Sequence, residues 1–116
     1  MAVEDGAVLG ALLGGLVQSG IGDARQHIPE MLRLYEHLQK SRSTANVRGA
    51  ADNGKIYQLP DGVEQEVRDA AFAQADYESR SQLLYCDSGY QDKLLGHDAV
   101  ASATEAFKLW RNGLKS

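Results

Sequence analysis

Three glycines spaced four residues apart near the start of the chain constrain its fold more than any other feature. Gly6, Gly10 and Gly14 lie in an apolar stretch, and residues four apart share one stripe on an α-helix. Each interior glycine costs about 0.8–1 kcal/mol of helix propensity relative to alanine, so this helix would be unstable alone. A helix that is apolar nearly all round must also be buried. We therefore expect residues 1–22 to pack closely in a core, against another protein or against a second copy.

The same glycine spacing has two other interpretations. Glycines four residues apart also pack helices together inside membranes, so membrane contact through residues 7–17 is an alternative. That apolar run is far shorter than the roughly 20 residues that a membrane-spanning helix needs. The third interpretation is a chance run of small residues.

The rest of the chain predicts an all-α fold. Apolar residues recur at helical spacing over 29–40 and over 98–112. Another helix should begin at Asp61, because Asp61 and Glu64 match a capping-box pattern. We expect a small bundle of three to four helices forming a single domain over residues 1–116.

Residues 41–60 are polar and predict a long loop or arm between helices 2 and 3. Asn53-Gly54 is a strong turn signal, and residues 55–59 could form one short extended segment. Long irregular connections in compact domains are commonly functional or mobile. Tyrosine is enriched at protein interfaces, although core packing explains these tyrosines equally well. The side chains predicted to make specific contacts are Arg48, Tyr57, Tyr85 and Tyr90.

Composition and charge narrow the function classes. The net charge of −4 opposes general attraction to nucleic acid, so no nucleic-acid partner is expected. Cys86 is the only cysteine, which excludes an internal disulfide and favours a reducing compartment. The acidic start of the chain is unlike a secretory signal. We expect a cytoplasmic protein, or one delivered without a cleaved signal peptide.

Charge is unevenly distributed along the chain. Residues 25–55 hold six cations against three anions, whereas residues 61–78 hold six anions against one cation. Such segregation could reflect pairing within the chain or head-to-tail contact between copies. Two solvated helix faces that never meet explain it equally well.

No catalytic, cofactor-binding or metal-binding signature emerges. Residues 49–56 approach a phosphate-binding loop but lack the serine or threonine that would hold magnesium. His27, Glu30 and His37 lack the spacing typical of a metal site. Cys86 and His97 supply a thiol and a base, but nothing in the sequence places them together.

The leading hypothesis is a non-enzymatic helical interaction protein that acts as a homo-oligomer or as a subunit of a larger complex. Its partner would be another copy or another protein, held by the glycine-spaced helix. A membrane-active or delivered protein is the first alternative, and a small enzyme or inhibitor using Cys86 and His97 is the second.

Overall fold

The computed structural model describes residues 1–114 and confirms the all-α prediction. Those residues form five α-helices and two short 3₁₀ turns, with no strand. The 3₁₀ turns cover Ala24–His27 and Leu84–Cys86. The α-helices are α1 (Ala2–Gln18), α2 (Ile28–Tyr57), α3 (Val63–Gln74), α4 (Ser88–Leu95) and α5 (Ala99–Leu114).

The predicted loop over 41–60 is wrong for most of its length. Helix α2 continues to Tyr57, and the extended segment expected over 55–59 is helical for its first three residues. Serine, asparagine and glycine have low helix propensity, and for that reason the sequence suggested a loop. No proline interrupts the interior of the helix, however, and its inward positions recur at helical spacing. Gly49 and Asn53, four residues apart, are both buried.

Two smaller predictions are also corrected. Helix α3 begins at Val63 with Gly62 as its N-cap and no side-chain cap, so the capping box from Asp61 does not form. The expected three to four helices are slightly too few, because Ser88–Leu95 forms a complete helix of eight residues. Its cap is Asp87, whose side chain accepts a hydrogen bond from the backbone N–H of Tyr90.

The chain divides into two compact units. The first, unit 1, contains Met1–Thr44 together with residues 98–114. The second, unit 2, contains Ala45–His97. Helix α2 contributes its first part to unit 1 and its last part to unit 2.

The core of unit 1 is built on one face of α1. Val8, Leu12 and Leu16 recur every four residues and are at most 2% exposed. They pack with Met31 of α2 and with Phe107 of α5, which is also largely buried. Burying one side chain of this size stabilises the fold by about 1.5–3 kcal/mol, so this face organises the unit.

Gly15 allows α5 to approach α1 closely. A Cβ atom placed on Gly15 would lie 3.2 Å from Cδ1 of Phe107, closer than ordinary van der Waals contact. A Cβ atom on the neighbouring Gly14 would meet no other element within 4 Å. Of these two glycines, Gly15 is the one that packs against another element of unit 1, and it lies outside the four-residue spacing.

Replacing these adjacent glycines by leucine should have opposite effects. Gly15→Leu should lower the free energy of unfolding by about 1–3 kcal/mol, because the new side chain displaces the Phe107 ring. Gly14→Leu should leave stability unchanged or raise it by up to about 1 kcal/mol through helix propensity. Urea unfolding of both variants measures the difference, and equal stabilities would contradict the packing described for α1.

Polar side chains attach the start of α1 to α2. Nη2 of Arg42 lies 2.9 Å from Oε2 of Glu4, and this hydrogen bond and ion pair raise the pKa of Arg42. Nε2 of Gln39 donates to Oδ1 of Asp5 at 2.8 Å. Both carboxylates lie in the first turn of α1, where the helix dipole favours negative charge. The acidic start predicted to oppose a secretory signal therefore has a structural role.

Polar contacts to backbone groups connect elements within unit 2. Nη1 of Arg68 on α3 donates to the carbonyl oxygen of Ile56 at 2.9 Å, near the end of α2. Asp87 is 5% exposed and accepts hydrogen bonds from the backbone N–H groups of Ser81 and Tyr90. These hydrogen bonds, that of Ser81 first, and the Arg80 guanidinium lower the pKa of Asp87.

Unit 2 should therefore weaken on acidification through Asp87. Its lowered pKa means that its contribution is complete above the ordinary aspartate pKa of about 3.9 and is lost as the pH falls through the folded-state pKa. Asp87→Ala should destabilise α4 at neutral pH and reduce this acid sensitivity. Amide exchange of residues 81 and 90 reports the change, and the exposed Asp92→Ala is the control. Identical acid profiles for Asp87→Ala and the parent would contradict this role.

Candidate interaction surface

Helix α1 presents a second face, opposite its core face. We call it the outer face, and it consists of Val3, Gly6, Gly10, Gly14 and Val17. These positions recur at intervals of three or four residues and contain no charged side chain. Val3 is 90% exposed and Val17 is 75% exposed. The helix is thus apolar on both sides, with one side covered and the other open.

The three glycines of the outer face contact no other element of the described chain. A Cβ atom added at Gly6, Gly10 or Gly14 would meet nothing within 4 Å apart from the helix itself. Their cost in helix propensity is thus not offset by close packing inside residues 1–114. The sequence predicts that these glycines pack in a core, against another protein or against a second copy. Because they do not pack inside the described chain, the two intermolecular roles stay as predictions.

The outer face suits contact with a closely approaching protein surface. Its members are apolar or lack a side chain, so it offers no acid, base, nucleophile or metal ligand. Small residues allow another backbone to come near, which increases van der Waals contact. Val3 and Val17 were missed as members of this face, although their spacing from Gly6 and Gly14 could have indicated them.

The structure brings together only two of the predicted tyrosines. Tyr85 and Tyr90 are half-buried, with ring centroids 5.6 Å apart. A Cβ atom on Gly49 would lie 2.6 Å from the Tyr90 hydroxyl oxygen, so this ring packs directly against α2. Burial raises the pKa of Tyr90. Within unit 2 these two tyrosines contribute to packing.

The other two predicted contact residues lie on or at the end of α2. Tyr57 is 55% exposed and stacks on Phe72 of α3, with centroids 5.8 Å apart and planes 8° from parallel. Arg48 is exposed on the same helix. Since residues 41–57 are helical, these side chains lie on a regular helix instead of on an irregular arm. Their role in binding stays a prediction.

The thiol and imidazole of the enzyme alternative are not joined. Cys86 is 2% exposed, and no hydrogen bond links it to His97 within the described residues. The Cys86 side chain beside Tyr77 raises the pKa of the Tyr77 hydroxyl.

The histidines and carboxylates considered as metal ligands serve other contacts. Nδ1 of His27 lies 3.0 Å from Oε2 of Glu30, which also accepts from the indole N–H of Trp110 at 3.1 Å. His37 lines a different surface groove with Arg33 and Lys40. Within residues 1–114, no three or more histidine, cysteine, aspartate or glutamate side chains converge as metal ligands do.

In the described part of the chain, no helix is both long enough and apolar enough to cross a bilayer. Contact of residues 7–17 with a membrane surface stays a prediction.

Comparison with known proteins gives one informative similarity. The chain is 36% identical over 108 residues to the FAD-dependent monooxygenase OpS4 of Beauveria bassiana strain ARSEF 2860. The match covers 90% of this chain but only 23% of that relative, so the chain spans about a quarter of its length. No protein-family model matches the chain. No solved structure matches it either.

Proposed function

We propose that this chain is a non-catalytic helical packing module related to part of an FAD-dependent monooxygenase. In this proposal the outer face of α1 binds the portion of such a flavoprotein that the chain does not contain. The similarity supports it because the match covers 90% of the chain and yet leaves 77% of the relative unmatched. A segment that evolved within a larger protein would be expected to expose surfaces that the remainder covers.

The observation that carries the proposal is the openness of the three glycines on α1. Together they cost about 2–3 kcal/mol of helix propensity, at 0.8–1 kcal/mol each. Nothing within residues 1–114 approaches them closely enough to explain that cost. A protein surface packed on Gly6, Gly10 and Gly14 would explain both their spacing and the exposure of Val3 and Val17.

The proposal assigns the outer face to protein packing and not to contact with the flavin. Its members offer no charged or hydrogen-bonding side chain for a phosphate or a flavin ring. The face would therefore act by positioning the helix. Dependence on FAD is a property of the Beauveria monooxygenase.

A chimera tests this proposal. The matching segment of the Beauveria monooxygenase is replaced by this chain, and bound FAD is measured by visible absorbance after gel filtration. The chimera should retain FAD, and Gly10→Leu combined with Gly14→Leu should reduce FAD retention at least about tenfold, as expected if packing worth about 1.4 kcal/mol is lost. Leucine at these positions fills the space that the partner surface would occupy.

Two controls separate docking from folding. Gly54→Leu changes another helical glycine whose Cβ atom would also meet nothing within 4 Å, and it should leave FAD retention unchanged. In the isolated chain, Gly10→Leu with Gly14→Leu should not lower the melting temperature. The proposal is wrong if the parent chimera is folded but binds no FAD, or if the double variant retains FAD like the parent.

A second copy of the chain is the alternative occupant of the outer face. In a two-fold symmetric dimer the same face of each copy meets its counterpart. The outer face has no charged member, so two copies of it would not repel each other. Light scattering of the isolated chain over a tenfold concentration range distinguishes the two occupants. A stable oligomer that dissociates on Gly10→Leu with Gly14→Leu favours self-assembly, whereas a monomer favours the flavoprotein partner.

A further inference from the structure

Helix α3 is packed with its apolar stripe facing away from the rest of unit 2. Val63 is 77% exposed, Val67 is 64% exposed, and Ala70 is exposed as well. The three residues recur at intervals of four and three, so they form one continuous stripe. Helix α3 therefore turns these apolar side chains outwards.

The opposite side of α3 attaches the helix to the end of α2. Arg68 donates to the carbonyl oxygens of Ile56 and Tyr57, at 2.9 Å and 3.3 Å. Phe72, four residues further along α3, stacks on the Tyr57 ring. These contacts use backbone carbonyls and one ring pair, and the two valines of the stripe stay mostly exposed. The stripe is available to a partner.

Carboxylates flank the stripe on both sides. Glu64 and Glu66 lie on opposite edges of it by helical geometry, and both are exposed with no ion pair in the described chain. Asp69 differs, because the Arg68 guanidinium binds it and lowers its pKa. Two copies placed stripe to stripe would bring Glu64 and Glu66 near their own counterparts. Like charges across a contact are unfavourable, so a second copy is disfavoured here.

We propose that the stripe Val63, Val67 and Ala70 binds an amphipathic helix whose apolar face is flanked by lysine or arginine. The valines supply the apolar anchors, at the spacing by which helices bind one another. Glu64 and Glu66 select a cationic partner and disfavour an acidic one. This inference concerns unit 2 alone and does not depend on the flavoprotein proposal for α1.

Binding of a designed peptide tests the inference. The probe is a fluorescein-labelled 18-residue helix with leucine along one face and lysine elsewhere, and its partner probe has glutamate in place of lysine. Fluorescence anisotropy measures the binding of each peptide to the intact chain at about 0.15 M salt. The lysine peptide should bind, and the glutamate peptide should bind at least about tenfold more weakly, a difference of about 1.4 kcal/mol.

Variants locate the site and separate apolar from charge contributions. Val63→Ser with Val67→Ser should weaken binding of the lysine peptide at least about tenfold, because the apolar anchors are lost. Glu64→Gln with Glu66→Gln should weaken it and reduce its salt dependence. Val47→Ser is the matched control, since Val47 is 70% exposed on the part of α2 that belongs to unit 2.

Three outcomes would overturn the inference. One is binding to the Val63→Ser, Val67→Ser variant at parental strength, which would place the peptide elsewhere on this acidic chain. Others are equal binding of the two peptides and no binding of the lysine peptide. Circular dichroism of each variant confirms that helix content is unchanged, as expected for residues that are mostly exposed.

Discussion

Close packing of α1 against α5 is the interaction on which unit 1 depends. Glycine at position 15 favours this contact, because a Cβ atom there would lie 3.2 Å from Cδ1 of Phe107 and would force the ring to shift. The contact aligns Leu12 and Leu16 with the rest of the core, where they are almost fully buried. Once α1 is oriented in this way, its opposite side must face outwards. The position of the open glycines follows from the position of the core.

Helices α1 and α3 share an unusual property. Each contacts its own unit through one side and exposes an apolar side that carries no charged residue at its centre. Exposed apolar stripes of this kind are more typical of surfaces that bind other proteins than of the surface of an isolated domain. Their composition differs, however. The outer face of α1 is built largely of glycines and has no charged member, whereas the stripe on α3 is flanked by Glu64 and Glu66, so the two faces suit different partners.

The sequence predicts the helical content well because helical periodicity is a local property. It fails for α2 beyond residue 40, where the burial of Gly49 against Tyr90 and of Asn53 overrides low helix propensity. That outcome depends on contacts with residues some 40 positions away, which no local pattern contains. Periodicity also cannot tell whether the chain itself covers an apolar stripe, and on α3 the residues Val63 and Val67 stay exposed.

The candidate site was only partly predictable for a related reason. The spacing of Gly6, Gly10 and Gly14 correctly indicates a common helix face, but it does not distinguish a core face from an exposed one. The decisive glycine for internal packing, Gly15, adjoins the pattern and has no periodic signal of its own. The position of the Phe107 ring shows which face of α1 is the core face and which is exposed.

Thiol reactivity at position 10 tests the central claim, that the outer face of α1 is an interface, most directly. Gly10→Cys places a small reactive thiol on this face. Native Cys86 is 2% exposed, so its slow modification serves as the internal reference for the labelling rate. The modification rate by a maleimide is compared, by peptide mass, between the isolated chain and the chimera with the Beauveria monooxygenase. The account predicts rapid labelling in the isolated chain and labelling at least about tenfold slower in the chimera, with Gly54→Cys labelled equally in both. Equal rates at position 10 in the two proteins would contradict it.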